Sequence, residues 1–156
     1  MKSYIYRNEI NPRTLHNKLI REKEVFYDTE EAINSPDIVH LLMTELFGLD
    51  RRAEEYMFMI ALNSKSHPLG FFEVSHGTCN TTVVSPREIF VRGMLAGAVS
   101  VIICHNHPSK NPTPSMEDIS VTKRIKEAGE LVGITLTDHV IIGGKTYCSL
   151  KEKGII

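Results

Sequence analysis

The chain has 156 residues, of which 42% are hydrophobic and 24% are charged, and its formal net charge is −1 at pH 7. This length and composition are typical of one globular domain with a real hydrophobic core. A charge near zero gives no general attraction to phosphate backbones, so nucleic-acid binding would need a local basic patch.

The sequence carries no recognisable targeting signal. Residues 1–5 lack the continuous hydrophobic region of a secretory leader, and no stretch has the length needed to cross a bilayer. The three cysteines, Cys79, Cys104 and Cys148, are widely scattered and odd in number, unlike a secreted disulfide scaffold. We therefore expect a cytoplasmic protein without a membrane segment.

The first part of the chain is polar and charged, with scattered aromatic side chains, and we interpret residues 1–34 as an N-terminal arm or accessory helix. Leu15, Leu19 and Ile20 could share one side of a short helix over residues 14–25.

From residue 35 onward, helical and extended patterns alternate, and we expect residues 35–156 to form the main domain. The first two helices should end near Gly48 and Ala98, and Glu88 is placed to form a capping box with the serine that begins its helix. Three helices are predicted from N-cap serines: Ser35-Pro36, Ser85-Pro86 and Ser115. Strands are predicted over residues 56–62, 69–75, 100–104, 134–142 and 146–150.

Two histidines directly follow the buried strand over residues 100–104. Because side chains alternate faces along a strand, His105 and His107 should point the same way and could share a metal ion. A proline-rich stretch long enough to turn the chain back then leads to Asp118, whose carboxylate could complete the ligand set. Imidazole and carboxylate are good Zn²⁺ ligands, and three protein ligands plus a water position are typical of a catalytic zinc site.

Two other zinc motifs are excluded because the sequence lacks the residues that they require, but two structural interpretations of the motif residues stay open. A zinc deaminase needs His-x-Glu and a later Pro-Cys-x-x-Cys, and the helical protease motif His-Glu-x-x-His is also absent. His105 and His107 could instead be loop histidines bonded to backbone and solvent. Ser115 and Asp118 form a capping-box pattern that needs no metal, although the Ser115 hydroxyl could also stabilise an oxyanion on a substrate carbonyl.

Hydrolysis at such a site also needs a general base. We prefer Glu73, because its apolar strand neighbours would bury it in the environment that suits this role. The alternative is an edge-strand glutamate in water. The upstream carboxylates considered for this role are Glu54, Glu55, Glu73 and Glu88.

Three further residues near the motif favour structural roles. Cys104 should face away from His105 in the strand and pack in the core. Asp138 and His139 are adjacent in a predicted strand, so alternation sends them to opposite faces. We therefore expect them to support the structure around the site rather than to act as a catalytic pair.

The pattern Glu73, His105-x-His107-x7-Ser115-x-x-Asp118 resembles the full signature of the JAMM (MPN-plus) metalloproteases. The surrounding segments at residues 77–78, 85–88, 105–109, 112–115 and 138–143 are similar to the bacterial RadC-like branch, and the resemblance extends from about residue 35 to the end. It implies a cytidine-deaminase-like JAB/MPN α/β fold, in which helices flank a mixed β-sheet in a three-layer-like arrangement.

The resemblance also implies a chemistry and a role for each motif residue. It implies Zn²⁺ on His105, His107 and Asp118, Glu73 as the acid/base, and Ser115 as an oxyanion helper. Hydrolysis of a peptide or isopeptide bond is the implied reaction.

Two features depart from the branch. Longer relatives carry an N-terminal helix-hairpin-helix module, whereas residues 1–47 contain no glycine, which weakens the expected connection with DNA. Lys110 stands where the branch usually has glycine after Pro108-Ser109, which would alter the turn of the loop or place a cation near the site.

The leading hypothesis is a zinc-dependent hydrolase, metallopeptidase or isopeptidase-like, in which Glu73 activates a metal-bound water to attack a peptide or protein substrate. The alternative is an accessory protein of DNA repair or recombination, which predicts salt-dependent DNA binding but has weak support in the near-neutral charge. A third hypothesis is an interaction module with a vestigial metal site. The sequence indicates no particular oligomeric state.

Overall fold

A computed structural model describes residues 2–26, 32–77 and 84–156. The helices are α1 (Pro36–Phe47), α2 (Pro86–Ala96) and α3 (Met116–Val132), with a short 3-10 turn at Leu49–Arg51. The strands are β1 (Lys2–Ile10), β2 (Asn17–Phe26), β3 (Glu55–Leu62), β4 (Pro68–Gly77), β5 (Ser100–Asn106), β6 (Thr135–Gly143) and β7 (Thr146–Ser149). They form one mixed sheet in the order β2-β1-β4-β3-β5-β6-β7.

The helices cover the two faces of this sheet, so the domain has three layers. Alternate residues of β3 show the division: Phe58 and Ile60 pack with α1, whereas Met57 and Met59 pack with α2 and α3. We call these two sides the α1 face and the α2/α3 face. The central strands are hydrophobic throughout because they are buried on both sides. The predicted fold class, a mixed sheet flanked by helices, is confirmed.

The helices begin and end where sequence signals place them, but two of the caps differ from expectation. Gly48 ends α1 in the left-handed conformation with φ of 62°. Neither Ser35 nor Ser85 makes a side-chain cap, so the capping box predicted for Ser85 and Glu88 is wrong. Glu88 instead accepts a hydrogen bond of 3.1 Å from Arg92, one turn along α2, because a guanidinium is a stronger donor than a backbone N–H.

The N-terminal segment forms a hairpin at the edge of the sheet, so the helix predicted over residues 14–25 is wrong. The Asn11 side chain accepts hydrogen bonds from the backbone N–H groups of Arg13 and Thr14, which closes the turn between β1 and β2. The helical spacing of apolar residues did not determine the structure, because β2 pairs with β1 as an antiparallel strand along its whole length. Charged residues dominate the exposed part of this hairpin.

The hairpin joins the rest of the sheet through a close approach between β1 and β4. Ile5 and Tyr6 pair in parallel with Phe71 and Phe72, and the Tyr6 ring stacks on Phe72 with centroids 5.5 Å apart. A Cβ atom at Gly70 would lie 2.6 Å from the Tyr6 ring, so only glycine permits this contact. The first strands therefore extend the same sheet that carries the main domain.

Two of the three cysteines fall in the described ranges. Cys104 and Cys148 are free and buried, and burial raises the pKa of the Cys104 thiol well above its ordinary value. Cys104 packs on the α1 face, away from His105, as predicted. Cys79 and the neighbouring Thr78 lie outside the described residues. None of the helices in the described ranges is long and apolar enough to span a membrane.

Candidate metal centre

The two motif histidines converge at the end of β5. His105 is completely buried, and its Nε2 atom lies 2.9 Å from the Nε2 atom of His107. His107 lies just beyond the strand, where its backbone N–H donates a hydrogen bond of 2.8 Å to the carbonyl of Ile142 in β6. This bond keeps the chain extended past the end of β5. The prediction that the two imidazoles point the same way is confirmed.

The first turn of α3 presents Asp118 to the two imidazoles. Its Oδ1 atom lies 3.2 Å from Nε2 of His105, and its Oδ2 atom lies 3.4 Å from Nε2 of His107. Ser115 holds the carboxylate in place through a capping box, as predicted. A carboxylate in the first turn also interacts favourably with the positive end of the helix dipole. The capping and metal-site interpretations of this helix start are therefore compatible.

Contacts with the two imidazoles make this carboxyl strongly acidic. Burial alone would raise the pKa of Asp118, but its close contacts with the His105 and His107 rings and a hydrogen bond from Ser115 hold it well below its usual range. The same contact acts in reverse on His107, whose pKa is raised, chiefly by its hydrogen bond to Asp118. The site thus keeps Asp118 ionised, which is the form that binds a metal ion.

The arrangement fits a small metal ion. One ligand atom each from His105, His107 and Asp118 lies within 4.8 Å of the others, and the closest pairs are separated by 2.9 to 3.4 Å. Ligands of a tetrahedral Zn²⁺ at about 2.0–2.1 Å stand about 3.3 Å apart, so little adjustment is needed. These three residues could therefore hold a metal ion.

The outer nitrogens of both imidazoles are also occupied. Nδ1 of His107 lies 2.8 Å from the carbonyl oxygen of Asn111, and because a carbonyl only accepts, this nitrogen carries the proton. Nδ1 of His105 lies 2.7 Å from Nε2 of His139. Fixing the outer nitrogen orients a ligating imidazole and directs its lone pair to the metal.

His139 and Asp138 point to opposite faces of β6, as predicted. His139 is fully buried beside His105, and burial holds its pKa well below the ordinary value. The oxygens of Asp138 accept hydrogen bonds from the Ser149 hydroxyl at 2.7 Å and the Lys151 backbone N–H at 3.1 Å. Asp138 therefore fixes the local backbone, while His139 contacts the site. Thr122 also contacts His139, and sequence reasoning missed it although it lies one helical turn after Asp118.

Glu73 does not lie where the sequence analysis expected it. It pairs with Phe58 on the α1 face, whereas His105 lies on the α2/α3 face. Its side chain is 48% exposed and lies 3.4 Å from Nδ1 of His76. The expectation that apolar neighbours would bury Glu73 is wrong, because its side chain stays exposed although Phe71, two residues earlier on the same face of β4, is buried.

Side-chain alternation along β3 puts Glu55 on the same face of the sheet as the candidate ligands. In the antiparallel pair of β3 and β5, Met57 lies opposite His105. Beyond this pair the Asn106 side chain accepts a hydrogen bond from the Tyr56 backbone N–H and donates one to the Glu54 carbonyl, which holds the start of β3 beside the end of β5. Alternation puts Glu55 on the same face as Met57. Its charge contributes to raising the pKa of His107, in line with this placement.

The other two candidate carboxylates are engaged elsewhere. Glu54 accepts a hydrogen bond of 3.4 Å from the Tyr56 hydroxyl, and Glu88 bonds to Arg92 and Arg87 on α2. Of the four upstream glutamates, Glu55 is therefore the one that we place on the same face of the sheet as the candidate ligands. Sequence spacing alone could not have chosen it, because the choice depends on which residue of β3 pairs with His105.

The loop between His107 and α3 contains the unusual lysine. Lys110 has φ of 65°, in the left-handed region that favours glycine, so its side chain is accommodated there at some cost in backbone strain. The Lys110 ammonium group donates a hydrogen bond to the backbone carbonyl of Asp50, which ties the loop to the 3-10 turn. A Cβ atom at Gly143 would lie 2.5 Å from Pro112, so glycine is needed for β6 to pack against this loop.

Most of this chain is similar in sequence to known proteins. The family model described as RadC-like JAB domain matches residues 32–155, which include the candidate metal centre but not the N-terminal hairpin. A protein of Desulfitobacterium hafniense, named UPF0758 protein, is 47% identical over 126 residues, which are 80% of this chain and 54% of the relative. A Clostridium beijerinckii protein with the same name is 49% identical over 125 residues, 80% of this chain and 53% of the relative. The chain thus spans about half the length of these curated relatives.

Proposed function

Because the chain belongs to the RadC-like JAB domain family, we propose that it is a zinc-dependent hydrolase that cleaves an amide bond in a peptide or protein, as a metallopeptidase or isopeptidase does. The observation that carries this proposal is the convergence of His105, His107 and Asp118 at one strand end. Two imidazoles and one carboxylate are the ligand set of a catalytic zinc site with an open position, rather than of a closed structural site.

Zinc held by these residues would lower the pKa of a bound water to about 7 and polarise the substrate carbonyl. The protein must then supply a base on the same side of the sheet. We assign this role to Glu55 in place of Glu73, because Glu55 lies on the same face of the sheet as His105 and its charge contributes to raising the pKa of His107, whereas Glu73 lies on the opposite face. The Glu55 carboxylate would take the proton from the attacking water and return it to the departing nitrogen.

Ser115 has a structural task that competes with the predicted oxyanion role. Its hydroxyl hydrogen is committed to Asp118, because Oγ donates to Oδ2 at 2.6 Å while accepting from the Asp118 backbone N–H at 3.1 Å. To stabilise an oxyanion, the hydroxyl would have to leave the carboxylate when substrate binds. In our proposal the main task of Ser115 is to orient Asp118.

Metal analysis of the purified protein tests the proposal. The parent should retain one Zn²⁺ per chain, and His107→Ala and Asp118→Ala should lose it. His67→Ala is the matched control, because the backbone of His67 closes the turn between β3 and β4, far along the strands from the centre. The proposal fails if the two ligand variants bind as much zinc as the parent does.

The hydrolytic half of the proposal needs a separate assay. A mixture of peptides from a denatured protein is incubated with the zinc-loaded chain, and new amino groups are counted with an amine-reactive fluorophore. Release that stops on chelation and returns with added Zn²⁺ is the expected result. Release that persists in the zinc-free Asp118→Ala variant would assign the activity to another site.

A further inference from the structure

A buried chain of hydrogen bonds connects two of the proposed metal ligands behind the metal centre. It begins at the backbone carbonyl of Asp118, which accepts from the hydroxyl of Thr122 one turn later in α3. Oγ1 of Thr122 lies 2.6 Å from Nδ1 of His139, and Nε2 of His139 lies 2.7 Å from Nδ1 of His105. Thr122, His139 and His105 are all completely buried, so water cannot substitute for any of these partners.

The direction of every hydrogen bond in this chain follows from its first member. A hydroxyl has one hydrogen, and a carbonyl oxygen only accepts, so the Thr122 hydrogen must point to Asp118. Oγ1 of Thr122 can then only accept from His139, which places the proton of His139 on Nδ1 and leaves Nε2 bare. The bare Nε2 accepts from Nδ1–H of His105.

These hydrogen bonds fix which nitrogen of His105 is free to bind a metal ion. With its Nδ1 proton held by His139, the neutral His105 imidazole has its lone pair on Nε2, the atom that faces His107 and Asp118. The reversed chain would place a proton on Nε2 of His105, where a metal ion must bind. It would also leave two lone pairs facing each other between Nδ1 of His139 and Oγ1 of Thr122.

We propose that Thr122 and His139 act as positioning residues that set the tautomer of His105 and thereby prepare its Nε2 atom for metal binding. Neither residue is one of the three candidate ligands. Thr122 sets the direction of the hydrogen bonds, because its hydroxyl donates to the backbone carbonyl of Asp118 on the same helix and can then only accept from His139. The inference rests on the metal centre of the proposed function, but it concerns proton placement, which can be measured without metal.

Two substitutions at one position separate the hydroxyl from the volume of the side chain. Thr122→Val keeps the shape and removes the hydroxyl, whereas Thr122→Ser keeps the hydroxyl and removes a methyl group. Competition with a chromophoric chelator for Zn²⁺ should show about ten- to a hundredfold weaker binding in Thr122→Val, the range found when the partner of a ligating histidine is lost. Thr122→Ser should bind Zn²⁺ nearly as the parent does.

A matched control addresses general damage to the fold. Thr44→Val makes the same chemical change in α1, where the buried hydroxyl oxygen has no hydrogen-bond partner. Its zinc affinity should equal that of the parent. Equal zinc binding by Thr122→Val and Thr122→Ser would overturn the inference while leaving the metal centre intact.

Nitrogen NMR of the histidine rings provides the second readout. In the metal-free parent, His139 should carry its proton on Nδ1 and none on Nε2, and Thr122→Val should shift that proton to Nε2. A parent in which His139 is protonated on Nε2 overturns the inference. A parent that binds no zinc at all would contradict the proposed function, yet the nitrogen assignment of His139 would still decide the present inference.

Discussion

Ser115 donates both its backbone N–H and its hydroxyl to the same oxygen of Asp118, at 2.7 and 2.6 Å. This oxygen also faces Nε2 of His107. The cap of α3 and the candidate metal centre therefore share one carboxylate, and the helix start holds this aspartate in place. A change at Ser115 should thus affect both the stability of the metal-free protein and its affinity for zinc.

Ser115→Ala tests this coupling. Loss of the side-chain cap should lower the free energy of unfolding of the metal-free protein by about 1 kcal/mol. Zinc affinity should fall as well, because Asp118 keeps only the backbone N–H of residue 115 as a tether. Denaturant unfolding and chelator competition measure the two effects. Ser115→Thr retains a capping hydroxyl and should recover most of both, and a Ser115→Ala protein with unchanged zinc affinity would separate the cap from the site.

Glu55→Gln should retain zinc and lose hydrolysis, because an amide cannot take a proton from the attacking water. The size of the loss should be on the order of a hundredfold or more, the usual contribution of a general base. Glu73→Gln is the matched comparison on the opposite face of the sheet and should keep both zinc and activity. The assignment is reversed if Glu73→Gln is inactive and Glu55→Gln is active in the peptide assay.

The sequence predicted the candidate metal ligands better than it predicted the general base. His105, His107 and Asp118 belong to one strand end and the helix that follows, so local spacing predicted their convergence. The base depends on pairing between β3 and β5, which are separated by β4 and α2, and a register cannot be read from composition. Glu73 was preferred because its neighbours in the strand are apolar. Those neighbours, Phe71 and Phe72, are buried, but Glu73 itself is exposed.

The N-terminal hairpin shows the same limit for secondary structure. Leu15, Leu19 and Ile20 have helical spacing, and nothing local contradicts a helix. Strand pairing determined the structure instead. β1 pairs with β2 along its whole length, and β1 also lies beside β4, where Gly70 leaves room for the Tyr6 ring. Tertiary pairing of this kind overrides local propensity because it satisfies a full row of backbone hydrogen bonds.

The metal-free protein should show a pH dependence that comes from the His107–Asp118 contact. The pKa of His107 is raised above its unfolded value of 6.5, chiefly by Asp118. Its stabilising effect is therefore fully present below pH 6.5 and is lost as pH rises through the folded pKa. Asp118→Asn should lower the pKa of His107, measured by NMR titration of its ring in the metal-free state. A His107 pKa that is the same in parent and Asp118→Asn would exclude this coupling.

Zinc binding should follow the opposite trend with pH. A protonated imidazole cannot bind zinc, so binding must release the proton that Asp118 helps His107 to hold. We expect the apparent affinity for Zn²⁺ to rise with pH until His107 is neutral and then to level off. Chelator competition between pH 5.5 and 8.5, roughly spanning the ordinary titration range of histidine, measures this trend. A flat profile would show that His107 is not a ligand.

Lys110 offers a test of the loop that separates the histidines from α3. Its φ of 65° strains any residue with a Cβ atom, and its ammonium group is bonded to the Asp50 carbonyl. Lys110→Ala and Lys110→Gly both remove the ammonium group but differ in the Cβ atom. The glycine variant should therefore be the more stable of the two by about 1 kcal/mol in denaturant unfolding, because only alanine retains the left-handed strain. Equal stability of the two variants would show that the loop relaxes out of the left-handed conformation.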